Sequence, residues 1–372
     1  MRIRPFVENV LVVGQSSLAN AITAEMKKRR RYRILDLKEP GEPGRVYKNG
    51  VPFVGSMDHG LRTIPQTHRI VVAFNERRGR LPVDALLNAK RQGIAIEDAV
   101  HLYERLTGKI ALDHLQPSHL IFSPTLCCST FYSALQRLLS VLLAAIGLVL
   151  CAPLFAAIAV LIKRDSGGPV FFVQERIGKD GRKFSLVKFR TMHPVEGRPS
   201  EWVRDNGDRI TPFGHWLRRF RLDELPQLFN VLLGHMNLIG PRPHPASNYE
   251  LFMRHIPFYA FRTTIRPGIT GWAQVRYGYA NDLKEEIEKM RYDFYYIKYR
   301  SVRLDLEIAA RTIAVFVLAR EAPAVKAMRD QKGGQASPVS APYVACGDSA
   351  SASCGRHQSS SISCAMENTG SD

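Results

Sequence analysis

The sequence has few cysteines, and none of them has a spacing that would hold a metal. No pair has the Cys-x-x-Cys spacing of a zinc or redox motif. We therefore expect no zinc site, no disulfide framework and a reducing compartment. The first fourteen residues also lack the long apolar core and small-residue cleavage site of a secretory signal. The cysteines are Cys127, Cys128, Cys151, Cys346, Cys354 and Cys364.

Acidic residues are also scarce relative to basic ones. The chain has 52 Lys and Arg against 34 Asp and Glu, a net charge of +18, which indicates an anionic partner such as nucleic acid, anionic lipid or a phosphorylated substrate. No nucleic-acid-binding motif accompanies the charge, so we predict no nucleic-acid partner. We interpret Lys27–Arg33 as a solvated basic face. For Arg218, Arg219 and Arg221 we favour phosphate or lipid headgroups.

Alternating strand and helix patterns predict an α/β domain with a parallel sheet over residues 1–115. Gly14 follows the first apolar run and Asp36 ends the second, as in a dinucleotide-binding fold. The glycine that lets the backbone approach a pyrophosphate is missing, however, because the turn reads Gly-Gln-Ser-Ser-Leu-Ala from Gly14. A bound nicotinamide cofactor is therefore disfavoured.

A single stretch is long and apolar enough for a membrane. Leu138–Ile162 carries no charge, and at ~1.5 Å per residue such a helix reaches across a ~30 Å hydrocarbon core. A buried core helix is the alternative. Pro153 is expected to break the helix, and basic residues at both ends also suit a segment that enters and leaves on one side. We place a linker before it at 116–133, a membrane-associated domain at 134–320 and a disordered tail at 321–372.

The central stretch of the chain, Arg221–Pro243, opens with two adjacent carboxylates. Asp223 and Glu224 precede apolar residues at offsets of three, four and seven, which predict one helix face, and Gly234 is a suitable stop. We expect the pair at a helix N-terminus, where the helix dipole keeps carboxylates ionised. An ionised carboxylate attacks phosphorus or holds a divalent cation. A simple capping pair is the alternative.

Several cations and loop residues are further candidates for the same site. Arg242 stands between two prolines, and its planar fork suits phosphate oxygens. Lys188 and Arg190 alternate with apolar residues after a predicted hairpin, so both should project from one strand face; an exposed polar edge is the alternative. Thr270 and Gln274 lie in a loop framed by glycines. A tyrosine-rich helix follows at about 282–299 and suits either an interface or a core aromatic stripe.

Taken together, these motifs resemble those of the bacterial sugar transferases, the monotopic polyprenyl-phosphate phosphoglycosyl transferases. The blocks that carry the resemblance are Asp-Glu-Leu-Pro-Gln from Asp223, Asn-Val-Leu from Asn230, Gly-Pro-Arg-Pro from Gly240 and Lys-Phe-Arg-Thr-Met from Lys188. The likeness covers about 131–320 closely and 7–120 loosely. It implies a Rossmann-like N-terminal module, regulatory or structural, and an α+β catalytic domain. The apolar segment would be a re-entrant helix bent at Ala152-Pro153, with a spanning helix as the alternative.

The resemblance also implies the activity. It would be transfer of a sugar 1-phosphate from a nucleotide sugar, UDP-linked in the main hypothesis, to undecaprenyl or another polyprenyl phosphate. The reaction would occur on the cytoplasmic face of a bacterial inner membrane, with Mg²⁺ or Mn²⁺ and the lipid bilayer as partners. Asp223 would be the nucleophile and Glu224 the metal ligand. Residues assigned to substrate or phosphate binding are Arg176, Lys188, Arg190, Arg242, Thr270, Gln274, Asp293 and Tyr296.

Two other functional classes remain open at this point. One is a nucleotide-sugar oxidoreductase that uses the N-terminal domain, although no Tyr-x-x-x-Lys pair stands near that domain. The other is a non-catalytic scaffold for polysaccharide assembly, which the intact carboxylate pair and Arg242 disfavour. A homo-oligomer is also left open as a partner.

Overall fold

The N-terminal part of the chain folds into a four-stranded parallel sheet with strand order β2-β1-β3-β4 and helices packed on it. Buried strands of a parallel sheet need apolar side chains on both faces, and every residue from Val10 to Val13 is fully buried. This confirms the predicted α/β domain. The elements are β1 Glu8–Val13, α1 Ser17–Lys27, β2 Tyr32–Leu35, β3 Arg69–Val72, α2 Val83–Arg91, β4 Ala95–Asp98 and α3 Ala99–Thr107.

Gly14 has a packing role in this sheet. Its φ is +108°, and a β-carbon there would lie 2.8 Å from the carbonyl carbon of Ala73. Only glycine combines this backbone conformation with so close an approach. The turn after β1 therefore packs on the end of β3, which accounts for the glycine without any bound cofactor.

The structure, a computed structural model of the chain, describes residues 7–14, 16–35, 67–74, 81–114, 130–193, 209–278, 280 and 282–318. Residue Asp36, most of the predicted linker and the predicted tail lie outside these ranges. From residue 130 the elements are α4 Thr130–Asp165, β5 Phe171–Ile177, β6 Lys183–Phe189, α5 Pro212–Arg219, α6 Gln227–Leu232, β7 Asn237–Ile239, α7 Ala246–His255, β8 Gly268–Thr270, α8 Trp272–Arg276, α9 Leu283–Tyr299 and α10 Val302–Leu318.

Helix α4 is one continuous helix of 36 residues. Within the described part of the chain it is the one helix long and apolar enough to cross a membrane, and 11% of its most apolar window is buried. Pro153 lies inside the helix, so the expected break is wrong: proline removes one backbone hydrogen bond, and the helix continues on both sides of it. Its buried side chains are Gln136, Ser140, Ala144, Ile158 and Ile162.

The part of the chain from residue 130 contains two small sheets beside α4. Strands β5 and β6 form the antiparallel hairpin that the sequence predicts around Lys179–Gly181, and β7 pairs in parallel with β8. Asn230 of α6 fastens that helix to the hairpin, because its side chain accepts a hydrogen bond from Val187 N at 3.1 Å and donates one to Ser185 O at 2.7 Å.

The N-terminal domain is joined to the part that begins at residue 130 through α9 and α8. The Glu104 carboxylate is fully buried and accepts a hydrogen bond from Lys298 Nζ at 2.8 Å. The indole Nε1 of Trp272 donates to Gly108 O at 2.7 Å. Ile110 and Leu112, near the end of the predicted domain 1–115, pack into the core formed around α9 and α10. The two parts therefore share a buried interface.

Candidate active site

Asp223 and Glu224 lie in a 3₁₀ turn, Leu222–Glu224, that precedes α6. The sequence predicts them at a helix N-terminus, and this turn ends three residues before the first residue of α6. The helix begins only at Gln227 because Pro226, which lacks an N–H, stands directly before it as its N-cap. The turn starts at Arg221, whose φ of +52° is left-handed and unusual for a residue with a β-carbon. Such backbone costs about 1–3 kcal/mol and is characteristic of functional sites.

Glu224 is held by two cations. Its carboxylate accepts hydrogen bonds from both terminal nitrogens of Arg242, at 2.6 and 3.2 Å, and lies 3.8 Å from Lys188 Nζ. Burial alone raises the pKa of the Glu224 carboxyl, but Arg242 and Lys188 outweigh it and hold the pKa well below its ordinary value. Glu224 is therefore ionised and fixed in place.

Asp223 has a different environment although it is the adjacent residue and equally buried. Within the described residues its carboxylate accepts no hydrogen bond. Burial and the neighbouring charge of Glu224 raise the pKa of the Asp223 carboxyl, while Lys188, Arg218 and Arg242 oppose that rise. The sequence predicts that the helix dipole keeps both carboxylates ionised. The pKa shifts of Asp223 and Glu224 instead come from burial and from neighbouring charged side chains. An unpaired carboxylate with cations nearby is suited to attack an electrophile.

Cations lie around the carboxylate pair: Lys188 and Arg242 act on both carboxylates, Arg218 acts on Asp223 and Arg221 acts on Glu224. Burial and Arg242 lower the pKa of the Lys188 ammonium to about 7, with Glu224 opposing and Arg176 adding to the shift. Arg176 also donates from Nη1 to Pro243 O at 3.0 Å. Arg218 donates from Nε to Thr191 Oγ1 at 2.9 Å. Such a concentration of positive charge favours a phosphorylated ligand.

The structure separates Lys188 from Arg190. Strand β6 ends at Phe189, so Arg190 lies beyond the strand and the alternation that should place both cations on one face does not reach it. Arg190 instead donates from Nη2 to the carbonyl and the hydroxyl of Ser166, at 2.7 and 3.0 Å, just after α4. It fastens the end of the long helix and is not brought to the carboxylates.

Thr270 and Gln274 support the Gly-Pro-Arg-Pro turn. Gly240 N donates to Thr270 O at 2.9 Å, so the backbone of β8 carries the start of that turn. The Thr270 hydroxyl pairs with that of Thr312 at 2.7 Å, and Gln274 Nε2 donates to Ile269 O at 2.9 Å. Both side chains therefore hold the loop in shape.

Asp293 and Tyr296 are both buried on α9 but serve different neighbours. The Asp293 carboxylate pairs with Arg262 Nε at 3.0 Å. The Tyr296 hydroxyl donates to Asp305 at 2.8 Å and accepts from Gln136 Nε2 at 2.8 Å. Tyr296 thereby ties α9 and α10 to the first turns of α4.

The sequence assigns Arg218 to phosphate or lipid headgroups only as part of the basic cluster directly before the Asp-Glu pair, and it gives Arg262 no role. Arg262 has no sequence signal, because it lies alone in a 3₁₀ helix, Tyr259–Thr264, with no pattern around it.

The donor set fits a divalent cation shared with substrate, and not a closed protein cage. No group of three or more His, Cys, Asp or Glu side chains suited to a metal occurs in the described ranges. Mg²⁺ is commonly bound by one or two carboxylates together with substrate phosphates and water. Glu224 and Asp223 are carboxylates of this kind, set among phosphate-binding cations.

The candidate site thus combines a strained turn, a carboxylate pair and a group of cations, and the chain carries a long apolar helix. The chain matches the protein family described as "Bacterial sugar transferase" over residues 131–319. The chain belongs to this family.

Characterised relatives show the same likeness. The chain is 46% identical over 211 residues to UDP-N-acetylgalactosamine-undecaprenyl-phosphate N-acetylgalactosaminephosphotransferase of Aeromonas hydrophila, covering 56% of this chain and 49% of that protein. It is 43% identical over 195 residues to the UDP-glucose:undecaprenyl-phosphate glucose-1-phosphate transferase of Xanthomonas campestris pv. campestris, 51% of this chain and 40% of that protein. The chain thus spans half or less of the length of these two relatives.

A third relative is shorter. The UDP-glucose:undecaprenyl-phosphate glucose-1-phosphate transferase of Caulobacter vibrioides is 44% identical over 183 residues, which cover 48% of this chain and 68% of that protein.

Proposed function

We propose that the protein is a phosphoglycosyl transferase that moves a sugar 1-phosphate from a UDP-sugar to undecaprenyl phosphate and releases UMP. The reaction would be the first membrane step of an exopolysaccharide or related glycan. The names of the relatives support the substrate classes. The observation that carries the proposal is the contrast between Glu224, fixed by Arg242, and Asp223, whose carboxylate accepts no hydrogen bond from the residues that the structure describes.

The proposed reaction has two displacements at one phosphorus atom. An Asp223 carboxylate oxygen attacks the phosphorus that bears the sugar, and the bond from that phosphorus to the UMP oxygen breaks with its electron pair leaving on UMP. A phosphate oxygen of the lipid then attacks the same phosphorus. The acyl-phosphate bond breaks, Asp223 is restored as a carboxylate, and the product is a polyprenyl diphosphate sugar. Two steps replace one direct displacement between two phosphates.

The cations of the site have distinct tasks in this scheme. Arg242 and Lys188 lie against Glu224 and would hold the phosphate oxygens near Asp223, which reduces repulsion between anions. Arg218 would do the same from the other side of Asp223. Glu224, and Asp223 before it reacts, would hold a Mg²⁺ or Mn²⁺ ion, which neutralises charge on the phosphates.

We further propose that α4 attaches the protein to the cytoplasmic face of a bacterial inner membrane. Side chains near both of its ends, Gln136 and Ile162, and in its first half, Ala144, are buried against the same domain. A helix that crossed the bilayer would carry one end away from that domain. These contacts therefore favour entry and exit on one side, with α4 bent at Pro153 but not ended there. The polyprenyl chain stays in the bilayer because exposing it costs ~0.8 kcal/mol per CH₂.

The test is to separate the two half-reactions. Purified protein in nanodiscs is incubated with a UDP-sugar labelled in the sugar, with Mg²⁺ and without lipid acceptor. We expect one equivalent of UMP and a sugar-phosphate adduct on Asp223, found by mass spectrometry after acid quenching. Asp223→Asn should give neither. If UMP were released only when both substrates are present, and no adduct formed, the covalent mechanism would be contradicted. If none of the UDP-sugars tested led to UMP release, the proposed function would be contradicted.

A further inference from the structure

The turn that carries Arg242 is anchored almost entirely through its carbonyl groups. Pro241 and Pro243 have no backbone N–H, so this turn cannot be fixed by the usual donors. Its carbonyls are used instead. Gly268 N donates to Pro241 O at 2.9 Å, Arg176 Nη1 donates to Pro243 O at 3.0 Å, and Ile177 N donates to His244 O at 3.0 Å.

The remaining carbonyl of the turn, that of Arg242 itself, is held by a side chain. Arg262 Nη2 donates to Arg242 O, while Arg262 Nε donates to Asp293 Oδ2 at 3.0 Å. The planar guanidinium therefore bridges the turn and α9 with two different nitrogens. Arg262 and Asp293 are 6% and 1% exposed, so water does not substitute for either contact.

The backbone around Arg262 indicates that its placement is costly. The 3₁₀ helix that contains it begins after Phe258, whose φ is +58°. A left-handed conformation at a bulky residue costs about 1–3 kcal/mol and persists only where the surroundings enforce it. Burying an ion pair is also of little benefit to stability compared with an apolar pair. The left-handed backbone at Phe258 and the buried Arg262–Asp293 ion pair are better explained by a role in holding the turn that carries Arg242 than by a contribution to stability.

We propose that Arg262, with Asp293 as its counter-ion, is a positioning residue that fixes the backbone of Arg242 and so aims the Arg242 guanidinium at Glu224 and the reacting phosphates. The inference rests on the proposed function for the identity of those phosphates. Arg262 touches no substrate in this scheme. It acts on the reaction through Arg242, so its effect should vanish when the Arg242 guanidinium is absent.

The experiment is a double-mutant cycle on the full chain in nanodiscs with Arg262→Lys, Arg242→Ala and the double variant. Lysine keeps the charge beside Asp293 but presents no planar fork that reaches both acceptors. Arg254→Lys on α7 is the matched control, because that arginine is exposed. The pair Arg262→Gln with Asp293→Asn is a second route that leaves no buried charge unpaired. Turnover is measured as UMP release, and anion binding as inorganic pyrophosphate affinity by calorimetry.

We expect Arg262→Lys to lower kcat about 10- to 100-fold, as for a misplaced catalytic group, and to weaken pyrophosphate binding, with a melting temperature near that of the wild type. In the Arg242→Ala background the same change should alter either quantity less than about threefold. Wild-type turnover by Arg262→Lys, or full additivity in the cycle, would overturn the proposal. A wild type that releases no UMP would refute the proposed function alone, because the pyrophosphate cycle still reports on Arg242.

Discussion

Neutralising the two adjacent carboxylates should have opposite effects on stability. Asp223→Asn and Glu224→Gln are isosteric changes at neighbouring residues that are 8% and 7% exposed. Glu224 binds both terminal nitrogens of Arg242, whereas the Asp223 carboxylate accepts no hydrogen bond within the described residues. We expect Glu224→Gln to destabilise the fold and Asp223→Asn to leave it unchanged or stabilise it slightly, although both reduce activity.

The magnitudes follow from those contacts. Removing one partner of a buried ion pair costs about 3–5 kcal/mol. At about 2–4 °C per kcal/mol for a domain of this size, Glu224→Gln should lower Tm by roughly 6–20 °C. Asp223→Asn removes a buried charge with no hydrogen-bond partner. Its expected effect is a rise of about 1 kcal/mol or less, or about 2–4 °C at most.

The dependence on pH separates the two residues further. The folded-state pKa of Asp223 is raised, mainly by burial, so its ionisation costs stability as pH rises above the unfolded value of about 3.9. The advantage of Asp223→Asn should therefore shrink as pH falls. The folded-state pKa of Glu224 is lowered through Arg242 and Lys188, so its stabilisation is present above the unfolded pKa of about 4.3 and is lost as pH falls below it.

The assay is thermal unfolding of the purified full chain in nanodiscs, followed by intrinsic fluorescence at pH 7.5 and 5.0. Arg254→Gln is a suitable control, since this arginine is exposed and forms only a 3.9 Å ion pair. A fall in Tm for Asp223→Asn as large as that for Glu224→Gln would refute the reasoning, because it would mean that Asp223 is also held by partners in the fold.

Three further predictions concern the hairpin, the membrane and the metal. Asn230→Ala should cost about 1–3 kcal/mol, because it leaves the Val187 N–H and the Ser185 carbonyl of β6 without their part-buried hydrogen-bond partner; a Tm within 2 °C of wild type would contradict this. Replacing Leu143 and Leu150 together by lysine should release the protein from vesicles in a flotation assay. Both side chains are more than half exposed on α4, and each charge costs about 2.5–3.5 kcal/mol in hydrocarbon. Continued flotation would exclude α4 as the anchor. Removing divalent cations with EDTA should stop UMP release, and adding Mg²⁺ should restore it. The Tm measured without substrate should change by less than 2 °C, because the described residues form no closed metal cage. Metal-independent turnover would remove Mg²⁺ from the scheme.

Local patterns in the sequence predicted much of the fold. The continuous apolar runs of β1 and β3 and the helices between them define a parallel sheet, because each strand is buried on both faces. The turn at Lys179–Gly181 predicts the β5–β6 hairpin, and the uncharged run from Leu138 to Ile162 predicts a long exposed helix, although α4 extends beyond that run at both ends, from Thr130 to Asp165. These features depend on the period of apolar residues and on a few glycines, which are properties of neighbouring positions in the chain.

The same local logic failed where backbone continuity mattered. Pro153 does not end α4, because an apolar run extends the helix on both sides. Pro226 moves the start of α6 past the carboxylates, so Asp223 and Glu224 occupy a turn of their own. In each case the proline removes one backbone N–H. Whether the helix continues or starts later depends on the hydrogen bonds that the neighbouring backbone groups still form.

The sequence by itself determined which chemistry is available: a carboxylate pair, an arginine between two prolines, an excess of cations and a helix that suits a membrane. Only the tertiary structure decided how these groups are used. It brought Lys188 to Glu224, left Arg190 at the end of α4 and placed Arg262 against the backbone of Arg242. Among the described residues it gave the Asp223 carboxylate no hydrogen-bond donor. The three contacts join residues 20 to 36 positions apart, where no periodicity extends and only packing sets the distances.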